Sequence, residues 1–113
     1  MKYCLSLSLL CLLFLQGCQD ENSLNTLEFY WDQTSCSDPW ITGSNGSNEE
    51  TRQAVENYLE RQDVNGAVVT SITSDGVQVD CLSCSCTTGK RINVKVPLKQ
   101  KSKMLALGFT ATT

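Results

Sequence analysis

Four cysteines restrict the fold of this chain more than any other feature, because three of them crowd into six residues. Cys81, Cys84 and Cys86 form a C-x-x-C-x-C cluster, and Cys36 lies far upstream. Four sulfurs can close two disulfides in three pairings, hold one metal ion as a Cys4 site, or provide a redox pair from Cys81 and Cys84. The first two uses bring the loop around Cys36 against the cluster. The choice among them depends on the compartment in which the chain folds.

The N-terminal segment is typical of a secretory signal. Lys2 supplies one positive charge, and the leucine-rich run Tyr3–Leu15 follows it. That run is too short for a membrane span, which needs about 20 apolar residues. Gly17, a small residue, stands directly before Cys18. We therefore predict that residues 1–17 are a signal peptide.

The stretch Leu15-Gln16-Gly17-Cys18 resembles the lipobox of bacterial lipoproteins. The resemblance implies cleavage before Cys18 and acylation of its sulfur and its freed amine, which together give a stable anchor. Cys11 fits less well, because Leu10 before it is not small. Gln19 replaces the aspartate that retains some lipoproteins at the inner membrane. The expected location is the cell envelope, lipid-anchored at the outer membrane on its periplasmic or surface face.

After the anchor we predict a lipidated tether at residues 18–26, one domain at 27–109 and a loose tail at 110–113. Alternating or 3–4-spaced apolar residues mark the elements of the domain. They are strands at Leu27–Gln33, Ala67–Thr73, Val77–Cys81 and Arg91–Val96, a helix capped by Ser47 that runs to about Gln62, and a helix at Gln100–Leu107.

This order, β-α-β-β-β-α, predicts a small two-layer α+β domain with a mostly antiparallel sheet and both helices on one face. Ser74-Asp75-Gly76 predicts a hairpin between the second and third strands. Asn65-Gly66 is the expected stop of the first helix. Trp40, in a polar loop, is expected to pack on the core as a lid. The order of the strands in the sheet is not determined by these patterns.

Export favours disulfides among the three uses of the cysteines, because exported proteins fold in oxidising surroundings. The metal use lacks a second C-x-x-C and any histidine, and the redox use lacks a helix start at Cys81. A bond between Cys84 and Cys86 would close a very tight ring. We therefore expect Cys36 to pair with Cys84 or Cys86, and Cys81 to pair with the one that remains.

Charge is divided unevenly along the chain. All 12 acidic residues lie before position 81, whereas the segment after it contains six cations and no acid. The two halves either neutralise one another or leave an exposed basic patch. For the second case we predict the patch at Lys95, Lys99, Lys101 and Lys103.

The sequence lacks the residues that several classes of enzyme and binding protein require. The chain has no histidine, so neither a Ser-His-Asp nor a Cys-His arrangement can form. No glycine-rich phosphate loop opens a helix, and export argues against nucleic acid as a partner. Cys36-x-Asp38-Pro39-Trp40, followed by the cysteine cluster and Leu105-x-Leu107-Gly108-Phe109, resembles a group of small exported bacterial proteins of unassigned activity.

These observations predict a non-enzymatic, disulfide-stabilised binding or structural module without a cofactor. Its expected partners are the membrane, through the lipid anchor, and an anionic envelope polymer or a protein. The alternative is a thiol-based metal-binding or redox protein that uses Cys81, Cys84 and Cys86 with Cys36.

Overall fold

The computed structural model describes residues 25–41 and 45–112. The predicted signal peptide, Cys18, most of the tether and Thr113 lie outside the described residues. The described part forms strands β1 (Thr26–Thr34), β2 (Val68–Thr73), β3 (Thr87–Pro97) and β4 (Thr110–Ala111), with helices α1 (Asn48–Arg61) and α2 (Lys101–Ala106). A short 3-10 turn, Leu98–Gln100, joins β3 to α2.

The predicted α+β class is confirmed. The strands form one antiparallel sheet in the order β2-β3-β1-β4. Register places Phe29 opposite Val94 and Trp31 opposite Ile92. These side chains share the inner face of the sheet, where they pack with Leu59 of α1 and Met104 of α2 in one core cluster. Both helices therefore cover the same face, and the opposite face carries no helix of the described residues.

Helix α1 begins as its sequence predicts and also ends as predicted, at Arg61 with Gln62 as its C-cap, but Asn65-Gly66 is not its stop. The amide of Glu50 donates to the Ser47 hydroxyl (3.1 Å), which caps the first turn. At the other end Asp63 takes the left-handed conformation (φ 62°), and the amide of Val64 donates to the Leu59 carbonyl (2.9 Å). This is a Schellman motif, with Asp63 at the position that glycine usually takes. Gly66 instead shapes the turn into β2, with φ 80°.

Helix α2 ends at the glycine that the sequence indicates. Gly108 has φ 98°, and the amide of Phe109 donates to the Met104 carbonyl (3.1 Å). Phe109 therefore folds back onto the helix and is buried. Both helices end in the same motif, once with glycine and once with aspartate.

The predicted strand Val77–Cys81 and its hairpin are wrong. Only Gln78 makes an isolated bridge, to Thr88. The partner of β2 is β3, which begins at Thr87 rather than at Arg91 and is flanked by β1 on its other side. On the side of β2, only residues before Arg91 of β3 are free, and the chain at 76–79 bonds to them at a few points without forming a ladder. Its alternating valines face no core there.

The predicted loose tail is wrong for two residues. Thr110 and Ala111 pair with Tyr30 and Phe29, and the amide of Thr112 donates to the Glu28 carbonyl (2.8 Å). After α2 the chain runs along the open edge of β1, where unpaired backbone groups are available for hydrogen bonds. Two residues carry no periodicity, so the sequence alone gives no sign of this strand.

Candidate functional site

The long strand β1 separates two ends of the domain that differ in charge and in chemistry. It spans about 26 Å from Thr26 to Thr34 at an ordinary strand rise. Near Thr26 lie the lysines of the predicted patch, and we call this region the basic end, defined by Lys95, Lys99, Lys101 and Lys103. Beyond Thr34 lies the segment between β2 and β3, which we call the disulfide loop, residues 74–86.

Two disulfides fix the disulfide loop, as expected from the sequence. Cys36 is bonded to Cys84, with a Cα–Cα distance of 4.5 Å, and Cys81 is bonded to Cys86, with a Cα–Cα distance of 6.0 Å. The sequence left Cys84 and Cys86 as candidate partners of Cys36, and the structure pairs it with Cys84. A thiolate metal site needs free sulfurs, and a C-x-x-C redox centre pairs its own two cysteines. Neither arrangement matches this pairing.

Backbone hydrogen bonds reinforce the two covalent links. The amide of Ser35 donates to the Cys86 carbonyl (2.9 Å), and the amide of Cys36 donates to the Cys84 carbonyl (3.0 Å). On the other arm of the loop, the amide of Val79 donates to the Thr87 carbonyl (3.1 Å). The loop is therefore fixed at several points, although it contains no regular element.

The disulfide loop exposes apolar side chains. Leu82 at its tip is fully exposed, Val77 is 70% exposed and Val79 is 49% exposed. Cys81, which the alternation with these valines predicts to face the core, is also exposed. That prediction is wrong for the same reason as the strand, because this segment runs past the end of the sheet and not across it.

A buried carboxylate organises the backbone next to Cys36. Asp38 is 3% exposed, and its Oδ1 accepts hydrogen bonds from the indole Nε1 of Trp31 (2.8 Å) and the hydroxyl of Thr34 (2.8 Å). The amide of Thr34 also donates to this carboxylate. Since its oxygens are occupied by protein donors, Asp38 shapes the loop and is not free to bind a ligand.

Trp40 covers the same corner, and the prediction of a lid is confirmed. It is buried, and its ring lies 5.2 Å from Trp31 and 5.7 Å from Tyr58, edge to face in both pairs. Phe109 completes the aromatic cluster through a 5.1 Å contact with Trp31. Buried aromatic rings with this geometry add to the stability of the core.

At the basic end, three of the four predicted lysines lie close to the start of the domain, and the fourth, Lys103, donates to the Asp63 carbonyl (3.2 Å). Thr26 pairs with Pro97, and Lys99 and Lys101 follow within four residues of that proline. Lys99, Lys101 and Lys103 are exposed, and Lys95 is half-buried. Lys95 on β3 lies opposite Glu28 on β1. The sequence around Lys95 contains no acid, so only the strand pairing reveals this neighbour. Even so, no lysine of the basic end forms an ion pair with any of the described residues.

A shallow cavity opens at the same end. Its volume is about 310 Å³. It is lined by Asn25, Thr26, Gly66, Val68, Lys95 and Pro97. Val68 and Leu98 are each about half exposed beside it. The basic end thus combines cations with a modest apolar surface.

One ion pair joins the acidic and the basic halves of the chain. Arg91 donates from Nε to Oδ1 of Asp32 (2.9 Å), and its guanidinium lies 4.0 Å from the centre of the Tyr30 ring. The hydrogen bond to Asp32 raises the pKa of Arg91. The other ion pairs of the described part are local to α1, where Arg52 contacts Glu49 and Glu56. Among residues 25–41 and 45–112, ion pairing between the halves is therefore limited to Arg91, and the lysines of the basic end are left without an ion pair.

Neither metal-binding nor membrane-spanning features stand out in residues 25–41 and 45–112. No three histidine, cysteine or acidic side chains there are grouped so as to hold a metal ion. No helix there is long and apolar enough to cross a bilayer. Comparison with protein-family models, with curated proteins and with solved structures gave no match.

Proposed function

We propose that this chain is a non-enzymatic lipoprotein of the bacterial cell envelope, anchored through Cys18 at the outer membrane, whose domain lies with its basic end toward the lipid. The observation that carries the proposal is the position of the lysines around Thr26, where the tether enters the domain. The disulfides support it as well, because they are typical of exported proteins.

The tether limits how far the domain can move from the membrane. Residues 18–25 reach at most about 27 Å when fully extended. Attraction between exposed cations and an anionic leaflet acts within about 10 Å at moderate salt and contributes about 1 kcal/mol per cation. A lipid anchor at Cys18 would thus let Lys99 and Lys101 reach the headgroups, and this attraction, rather than the length of the tether, would keep the basic end there.

The acidic disulfide loop favours the same orientation. Asp75 and Asp80 lie in this loop, at the other end of β1 from the basic end. An anionic surface repels this loop and attracts the basic end. The difference in charge between the two ends of β1 therefore favours the side that also carries the tether, and Glu28, opposite Lys95, reduces that difference.

Anchoring is tested by Cys18→Ala in the producing cell. We expect the variant to remain an unprocessed precursor, whereas the parent carries acyl groups and enters the detergent phase in a phase-partition assay. Cys11→Ala is the matched control and should behave like the parent, because Leu10 is not small. An intact mass that shows an unmodified Cys18, or cleavage elsewhere, contradicts the anchor.

The orientation is tested separately with the unlipidated chain that begins at Gln19. It should bind vesicles that contain phosphatidylglycerol more tightly than vesicles of phosphatidylcholine, and salt should weaken that binding. Lys99→Glu with Lys101→Glu should abolish the preference. Lys90→Glu is the control, since Lys90 contacts Asn48 away from the basic end. Binding that ignores salt, or that is absent at low salt, contradicts the orientation.

A further inference from the structure

The disulfide loop exposes apolar side chains that the fold does not use. Val77, Val79 and Leu82 lie within six residues, and Leu82 is fully exposed, Val77 mostly exposed and Val79 half-exposed. Other exposed large apolar residues, such as Leu98 and Leu105, are separate from this group in the chain. Clustered exposed apolar side chains, unlike scattered ones, mark interaction sites on proteins.

The loop is also held in one conformation before any partner arrives. Cys36–Cys84 fastens it to the end of β1, and Cys81–Cys86 closes the segment that contains Leu82. The amide of Gly76 donates to the Gly89 carbonyl (3.0 Å), and the amide of Cys86 donates to the Ser83 carbonyl (3.2 Å). A preformed loop loses little conformational entropy on binding, which favours affinity.

Charge and position indicate the occupant. The only charged residues of the loop are Asp75 and Asp80, so an anionic membrane or polymer would repel it. The loop also lies at the opposite end of β1 from Thr26. Cations on a protein surface would instead complement the two carboxylates.

We propose that the disulfide loop is a docking site for another protein, whose surface offers an apolar pocket for Leu82 and Lys or Arg side chains that face Asp75 and Asp80. Val77 and Val79 extend the apolar contact. The exposed tip provides the buried centre of the interface, and the carboxylates provide its polar rim. This proposal does not depend on the lipid anchor, because it rests on the described loop alone.

The test begins in the native cell with the full chain. A photoreactive phenylalanine analogue replaces Leu82 in one strain and Leu105, a half-exposed leucine on α2, in another. We expect one discrete protein adduct from position 82 and none from position 105. The adduct protein is then identified by mass spectrometry, purified and titrated against the purified chain.

The titration decides the chemistry of the interface. Leu82→Asp should raise the dissociation constant at least tenfold, whereas Leu105→Asp should leave it unchanged. Asp80→Lys should raise it at least threefold at low salt and less at high salt. A free-thiol count near zero and an unchanged far-ultraviolet circular dichroism spectrum check that each variant keeps its fold.

Five outcomes overturn the proposal, and four of them concern the adduct with a partner and its titration. These four are an adduct with lipid, no adduct at position 82, equal adducts at positions 82 and 105, and a titration that Leu82→Asp does not change. An adduct between two copies of this chain, lost in Lys95→Glu, also overturns it, because the cavity at the basic end would then be the pocket for Leu82.

Discussion

At the scale of single residues, Asp38 does more for the described fold than its place in a polar loop indicates. It is one of the few buried polar side chains, and it receives hydrogen bonds from Trp31 and Thr34. Pro39 and Trp40 next to it mark an irregular loop in the sequence, but nothing local shows that the carboxylate turns inward. That orientation depends on Trp31, which comes seven residues earlier on β1.

We expect Asp38→Ala to lower the free energy of unfolding by about 3 kcal/mol, because the buried donors of Trp31 and Thr34 lose a charged acceptor. Asp38→Asn should cost less, since an amide oxygen still accepts. Asp80→Ala, in an exposed position, is the control and should change stability by less than about 0.5 kcal/mol. Urea unfolding followed by tryptophan fluorescence measures all three, and equal values for Asp38→Ala and Asp80→Ala would contradict this role.

At the scale of elements, the sequence predicts helices and strands that are marked by a few neighbouring residues. It does not predict elements whose formation depends on residues far away in the chain. The capping box at Ser47, the alternation of β1 and the apolar face of β3 each arise from a few neighbouring residues, so the sequence predicts them. Val77 and Val79 show the same alternation, yet they form no strand, because this segment meets β3 only at Thr87 and Thr88 and then runs past the end of the sheet. The two-residue β4 depends wholly on the edge of β1, which lies far away in the chain.

The two helices end in the same motif, with Asp63 and Gly108 at the position that adopts positive φ. Substitutions at these two residues therefore test how much that conformation affects stability. Gly108→Ala should lower stability by about 1–2 kcal/mol, since φ 98° suits glycine and the added Cβ would lie 3.3 Å from the Trp31 ring. Asp63→Gly should raise it by about 0.5 kcal/mol, because glycine adopts φ 62° without strain but costs more entropy on folding. Thermal unfolding of both variants is the measurement, and a loss in Asp63→Gly would contradict the assignment of that position.

At the scale of the whole molecule, the sequence predicts the class of the fold and the partners of the cysteines more fully than the order of the sheet. Export and the even number of cysteines after Cys18 favour two disulfides. Disulfide geometry disfavours the tight ring that a bond between Cys84 and Cys86 would close. The choice of Cys84 for Cys36 needs the position of β1 beside the loop. The basic end likewise needs the fold, because Thr26 and Pro97 meet only through strand pairing.

We expect the two disulfides to contribute unequally to stability. Cys36 and Cys84 are separated by 48 positions, whereas Cys81 and Cys86 are separated by five. In the chain-entropy model, loops of these sizes correspond to about 4 and about 2 kcal/mol. Denaturant unfolding of the paired serine variants, Cys36→Ser with Cys84→Ser and Cys81→Ser with Cys86→Ser, measures both. A larger loss from the second pair would contradict the prediction.

The bond between Cys36 and Cys84 also decides how the domain would respond to tension. A pull between Thr26 and Leu82 travels along β1 to Cys36, crosses the disulfide to Cys84 and reaches Leu82, two residues before Cys84 in the chain. Helix α1 and strand β2 belong to the chain that this covalent shortcut bypasses, so they carry no load. Under such a force, only β1 and the residues next to the disulfide can be extended. A force applied to the disulfide loop therefore leaves most of the domain folded.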